Sequence, residues 1–224
     1  MKSQSRGFHL ITNEVLRHLP LLPKMGLPNL FVQHTSCELS ICELTEQREQ
    51  SQARLSFAES RRKKAIANAA WAGQWDGDKI MISMGNHQTT VNLNANPDFT
   101  LAFATTDTIV AADYVGVVSG KKVKDKVAKT GWKVEKGEHV NAPVFTDFPM
   151  TMECRIERKI DESETGYYIV AKIVNIRVNE EYLAEDGKPD LEKMHLLTFD
   201  PVHLGYLEIG KRVGNAFKDG THLK

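Results

Sequence analysis

The sequence predicts a mainly β chain with some α, closed or nearly closed into a β-barrel with connecting helices at its rim. Three observations predict it. Short β-type runs crowd the chain after Lys64: "AIANAAW" (65–71), "KIMISM" (79–84), "FTLAFAT" (99–105), "MTMECRIERKI" (150–160) and "YYIVAKIVNIRV" (167–178). Turn signals at Asp76-Gly77, Asn96-Pro97 and Asp186-Gly187 punctuate them. The strict strand–helix alternation of a doubly wound sheet is absent.

The elements follow in order. Residues 9–22 set Ile11, Val15, Leu16, Leu19 and Leu22 near helical spacing, which predicts a short amphipathic helix ended by Pro20 and Pro23. Residues 30–42 read as a strand. Residues 43–64 are polar, with Leu44, Leu55 and Phe57 as sizeable apolar groups, and read as a linker or boundary. They could also hold a weak helix and then a short strand, "RLSFAE". Past the first two strands of the richer region, Thr89 and Thr90 precede an expected short helix at 91–97. Two more helices are expected, at 107–120, opening on Thr106-Asp107, and at 121–131, closing on Gly131.

Composition limits the function. The 224 residues allow one large domain or a domain with an appendage. Lys plus Arg equals Asp plus Glu, 29 each, so no chain-wide field favours nucleic acid or an anionic membrane. No apolar run approaches the roughly 20 residues that span a bilayer. "MKSQSRGFHLIT" lacks a signal-peptide core, and Cys37, Cys42 and Cys154 are odd in number and scattered. A cytoplasmic protein without a disulfide framework is expected. Cys37 and Cys42 have no second pair to complete a zinc site, so no metal is expected.

Three segments could bind a ligand. "GVVSGKK" (116–122) imitates a phosphate loop, but three residues separate its glycines and Lys122 stands where Ser or Thr should follow the lysine. Its Ser119, Lys121 and the N–H groups of a helix start can still converge on one phosphate. Thr89 and Thr90 offer a second hydroxyl pair at a helix start. Around Trp71 the small residues of "ANAAWAGQW" would let a flat ring lie against backbone. Separately these read as a solvated lysine-rich helix start, ordinary capping and a core tryptophan. One phosphate, one flat ring and a barrel account for all three together.

Over roughly residues 55–220 the chain resembles the flavin reductase-like, flavoredoxin-type FMN-binding split barrels. The likeness lies in "ANAAWAGQWDGDKIMISMGNHQTTVNL", "ADYVGVVSGKKVKDK", "FPMTMECRIE" and "LLTFDPVHLGYLEIGKRVGNAFKDG", in that order. It implies a homodimer with FMN near the interface, and electron transfer from NAD(P)H or a redox protein. It places Ala70, Trp71, Ala72 and Gly73 along the flavin, with Ser83 as a further cofactor contact. His87, Thr89, Thr90 and Asn92 match the segment beside the phosphate and ribityl chain. Ser119, Gly120, Lys121 and Lys126 match the phosphate segment. Val127 stands where the family more often has an aromatic. The expected function is an FMN-binding oxidoreductase with no catalytic side chain; the alternative is a non-catalytic flavin-binding electron carrier. Residues 3–42 resemble the opening of the YjbQ-type family, whose "QHT" histidine would be His34. A lone histidine holds no metal, so His34 is assigned no site. The expected division is a YjbQ-like fragment at 1–45, a linker or atypical first strand at 46–64, with Arg61, Arg62, Lys63 and Lys64 at an awkward turn, and the split barrel at 65–224.

Overall fold

The computed structural model describes residues 8–10, 39–45, 63–69, 72–85, 88–119, 122–123, 125–163 and 166–223. They form twelve strands, β1 Phe8–Leu10, β2 Leu39–Thr45, β3 Lys63–Ala69, β4 Ala72–Asp76, β5 Lys79–Gly85, β6 Asp98–Phe103, β7 Val134–Lys136, β8 Pro143–Phe145, β9 Met150–Ser163, β10 Gly166–Asn179, β11 Leu197–Asp200 and β12 Gly205–Glu208. Two helices join them, α1 Gln88–Ala95 and α2 Ile109–Val117. Single 3-10 turns occupy Glu180–Tyr182 and Asp219–Leu223.

One eight-stranded antiparallel sheet dominates, in the order β3-β2-β6-β9-β10-β5-β4, with β1 also on β10. Its spine is the pair β9 and β10, 14 residues each. Register shifts between Gly166 and Tyr167, Val170 and Ala171, and Ile173 and Asn175 bend this pair, since a bulge adds local twist and curl. The two ends of the sheet, β3 and β4, are neighbours in sequence, and the rolled sheet stays open along that line among the described residues. This matches the mainly β, split-barrel expectation.

Strand β6 explains how one sheet serves two cores. Alternate side chains of a strand point to opposite faces. Phe99, Leu101 and Phe103 enter the barrel interior with Ile80, Ile82, Met150, Met152 and Ile169. Ala102 and the following Ala104 face a second cluster beneath α2, with Ala112, Val115, Phe145 and Phe148. All six β6 residues are buried. In the second cluster Trp132 meets Phe145 and Phe148 edge-on, at 5.5 and 4.8 Å between ring centres. Such pairs add about 0.5–1.5 kcal/mol beyond area burial.

Polar groups hold the short elements. Glu153, fully buried on β9, accepts from the His139 amide at 2.7 Å and from Asn175 Nδ2 at 3.2 Å. Asp98 accepts the Asn141 amide at 2.8 Å and the Arg155 guanidinium at 2.6 Å. Both carboxylates anchor the 137–142 loop joining β7 to β8. Gly137 is needed there because a Cβ would sit 2.8 Å from Ala142 O. Gly187 makes its predicted turn at φ +77°.

Several expectations change. Of the helix expected at 9–22, His9 and Leu10 lie instead in β1, where Phe8, His9 and Leu10 pair with Asn179, Val178 and Arg177; 11–22 lie outside the described residues. Of the strand expected at 30–42, residues 30–38 lie outside the described residues, and Leu39–Cys42 belong to β2, which continues to Thr45. It lies between β3 and β6, with Leu39 opposite both Ala69 and Phe103. β2 is thus an inner strand of the sheet. "RLSFAE" lies outside the described residues, while Lys63 and Lys64 open β3. The helix expected at 91–97 starts at Gln88 and takes in both threonines. The described part of 121–131 forms turns, not a helix, because the Ser119 carbonyl takes both the Lys122 and Val123 amides.

Candidate functional site

Strand β3 is the common neighbour of the three ligand-binding segments. Residues 70–73 continue directly from it. Helix α1 packs against β2 and β3, and α2 packs against β3. Both helices are thereby held at the β3 side of the sheet.

Beyond β3, Ala72 is buried and pairs with Ile82, and Gly73 pairs with Met81. A Cβ at Gly73 would meet nothing within 4 Å, so open space lies over this backbone. Ser83 is exposed on β5, opposite Tyr168 of β10. Ala70, Trp71 and His87 lie outside the described residues.

Helix α1 opens next to this edge. Its first turn has no acidic residue, so no side chain of that turn offsets the partial positive charge of a helix start. Thr90 is buried and donates its hydroxyl to Gly85 O at 2.6 Å, fixing the helix to the end of β5. Thr89 is buried as well, at 7% exposure, and its hydroxyl has no protein partner among the described residues. Asn92 Oδ1 accepts from Gln88 Nε2 at 3.1 Å. The two threonines therefore differ: Thr90 bonds to the end of β5, and Thr89 makes no such bond among the described residues.

After α2, Val118 caps the helix through its N–H on Tyr114 O at 3.1 Å. Ser119 follows, exposed. Gly120 and Lys121 lie outside the described residues. Lys126 is buried, and its Nζ donates to Val115 O at 2.5 Å and Val118 O at 3.0 Å. These are last-turn carbonyls of α2, the negative end of the helix, where a cation is favoured. The Lys126 ammonium therefore reaches the C-terminal end of α2. Val127 fills the second core cluster where an aromatic was expected.

Two residues escaped the sequence reading. Tyr114 buries its hydroxyl without a hydrogen-bond partner. Tyr206 donates its hydroxyl to Asp113 at 2.6 Å, fastening the β11–β12 hairpin to α2. The first had a signal, a tyrosine one turn before the phosphate-type segment; the second, 93 residues from its partner, had none. Among the described residues no group of His, Cys, Asp or Glu is arranged to hold a metal. Burial pushes the Cys154 thiol well above its ordinary value, which makes it an inert core group.

Comparison with known proteins agrees with this architecture. The chain is similar to flavoredoxin of Desulfovibrio vulgaris (Miyazaki F), 25% identical with a TM-score of 0.72, over 88% of this chain and 100% of that one. It shares its fold with flavoredoxin of Methanosarcina acetivorans, 23% identical, TM-score 0.70, over 87% and 96% of the two chains. The FMN-binding domain of a flavin reductases-like enzyme from Shewanella baltica OS155 also shares it, 12% identical, TM-score 0.63, over 95% and 100%. A separate stretch of 45 residues, 19% of the chain, is 44% identical to the YjbQ protein of Escherichia coli O157:H7 and spans 33% of it. The flavin reductase like domain is matched over residues 50–200, and the chain therefore belongs to that family.

Proposed function

We propose that the chain is an FMN-binding oxidoreductase of the flavin reductase or flavoredoxin type, drawing electrons from NAD(P)H or from a redox protein. The observation that carries this reading is Thr89. A buried threonine whose hydroxyl has no hydrogen-bond partner among the described residues, in the first turn of a helix with no acidic residue there, suits a phosphate monoester. The open backbone at Gly73 suits a flat ring beside it. Thr89, Ser119, Gly120 and Lys121 would hold the phosphate, with His87, Thr90 and Asn92 beside it. Ala70, Trp71, Ala72, Gly73 and Ser83 would line the ring, and Lys126 keeps the phosphate turn in shape.

FMN, when bound, supplies the hydride and electron chemistry. The protein's own part is to bind, orient and shield it, so no side-chain nucleophile or general base is required. The split barrel at 65–224 is the flavin-binding unit, joined through 46–64 to the YjbQ-like 1–45, which lends it β2. A cytoplasmic homodimer completes the reading.

The test is the visible spectrum of the purified protein, then anaerobic addition of NADH and NADPH in turn. A bound flavin bleached by either nucleotide, with steady turnover on added FMN, supports the oxidoreductase. Bound flavin that neither nucleotide reduces, but a redox protein does, supports the carrier alternative. No flavin bound at any concentration overturns the proposal.

A further inference from the structure

The C-terminal stretch is ordered, exposed and apolar at once. From 210 to 223 every residue is exposed. Val213 is fully exposed, Phe217 is 75% exposed and Leu223 92%. Yet the stretch has its own framework. Asn215 N and Nδ2 donate to the two Asp219 oxygens at 2.7 and 3.2 Å, Arg212 Nε donates to Gly214 O at 3.2 Å, and Thr221 Oγ1 donates to Lys218 O at 2.6 Å. Among the described residues, the hydrogen bond that ties this arm to the body runs from the Arg212 amide to Glu192 Oε1. Phe217 sits at φ +62°, a left-handed backbone that is unfavourable for a bulky side chain. Ordering such a segment opposes folding by about 1–2 kcal/mol per residue, and burial within its own chain does not offset it.

We infer that this arm packs on a second copy of the chain, across the outer face of α2. The inference rests on the homodimer reading above and assigns its contact. The same chain carries a matching uncovered surface. Val110 and Val117 on α2 are 82% and 74% exposed. The charges are complementary: residues 107–117 contain Asp107 and Asp113, the latter also accepting Tyr206 of its own chain, and no cation, while the arm carries Lys211, Arg212 and Lys218 against Asp219. The size fits, because Val202, Leu204 and Leu207 extend the exposed apolar surface back along the β11–β12 hairpin. The stretch from 201 to 223 is then close to the roughly 20–30 residues that each side gives a standard interface. An arm and a receiving face on one chain satisfy each other twice about a two-fold axis, the closed arrangement of an isologous dimer. The formal net charge of zero does not oppose self-association.

Sedimentation equilibrium of the full chain decides it, with Phe217→Asn and Val110→Asp as variants and thermal unfolding of each to confirm the fold. Asn tolerates the left-handed backbone, so Phe217→Asn keeps the arm's shape and removes the ring. Each variant should weaken dimerisation roughly thirtyfold or more, the hot-spot level at 1.4 kcal/mol per tenfold. A monomeric wild type overturns both the dimer reading and the arm. A wild-type dimer that both variants leave equally tight overturns the arm alone. Weakening by one variant and not the other overturns the pairing of arm with α2.

Discussion

Removing residues 1–42 should dismantle the barrel's open edge. The cut takes Leu39, Ser40, Ile41 and Cys42, which pair with Phe103, Ala102, Leu101 and Thr100 of β6 on one side. On the other side they pair with Ala69, Asn68, Ala67 and Ile66 of β3. An antiparallel ladder makes about one hydrogen bond per paired residue, so roughly eight are lost. At about 0.5–1.5 kcal/mol net each, the loss is roughly 4–12 kcal/mol, against a total stability of about 5–15 kcal/mol for a domain. Strand β6, buried along its whole length, would also gain a bare edge. Because α1 and α2 both rest on β3, the ligand segments should lose their frame with it. The assay is urea unfolding and FMN titration of three chains: wild type, a deletion of 1–38 that keeps β2, and a deletion of 1–42. The longer deletion should lose cooperative unfolding and flavin binding, and the shorter one should keep both. If the 1–42 deletion unfolds within about 1 kcal/mol of wild type and binds FMN within threefold, β2 is no working strand and this reasoning fails.

Four smaller perturbations separate ligand roles from structural ones. Lys121→Ala should weaken FMN by roughly tenfold to a hundredfold, the worth of a charge-assisted hydrogen bond at about 1.5–3 kcal/mol, and leave riboflavin little changed in calorimetric titration. Thr89→Val should weaken FMN with little effect on unfolding, whereas Thr90→Val, which breaks the bond to Gly85 O, should lower stability by about 1–3 kcal/mol. Lys126→Met strips two α2 carbonyls of their donor and should lower stability by a similar amount in urea. Burial raises the Asp98 carboxyl, but the Arg155 guanidinium and the Asn141 amide outweigh it and hold the group below its ordinary value of 3.8. The stability it contributes is present above that value and is lost as pH falls through the lower folded value. In Arg155→Met the burial effect would prevail, so acid unfolding, followed by circular dichroism, should move to higher pH.

How far the sequence speaks depends on the distance of the partner. Strand β10 was legible because its run "YYIVAKIVNIRV" is rich in aromatic and β-branched residues, and β5 because Ile80, Ile82 and Met84 alternate with less buried residues. The turn at Gly187 was legible as Asp-Gly chemistry. Strands β7 and β8 were not, since three residues carry no period and their loop is held by Glu153 and Asp98 from other strands. The lysine-rich 121–131 has helical composition, but Lys126 reaches back to α2 and Val127 sinks into the second core, and the chain turns to allow both. Strand β2 looked like the tail of a separate fragment because its ladder partners lie in β3 and β6, far along the chain. Of the candidate site, the residue types were readable; that Thr90 is spent on the end of β5 needed the Gly85 carbonyl to be placed.

The pairing of β1 with β10 sets a timetable for biosynthesis. Phe8 meets Asn179, a residue the ribosome adds about 170 positions later. At about 5–20 residues per second this is a delay of roughly 10–30 seconds. Through that interval the first strand has no ladder to join, and closing so long a loop is among the slowest steps of folding. The β9–β10 hairpin, whose partners are near neighbours, can form as soon as it emerges. Folding should then run from the C-terminal side of the sheet backwards, with β1 the last of its strands to settle.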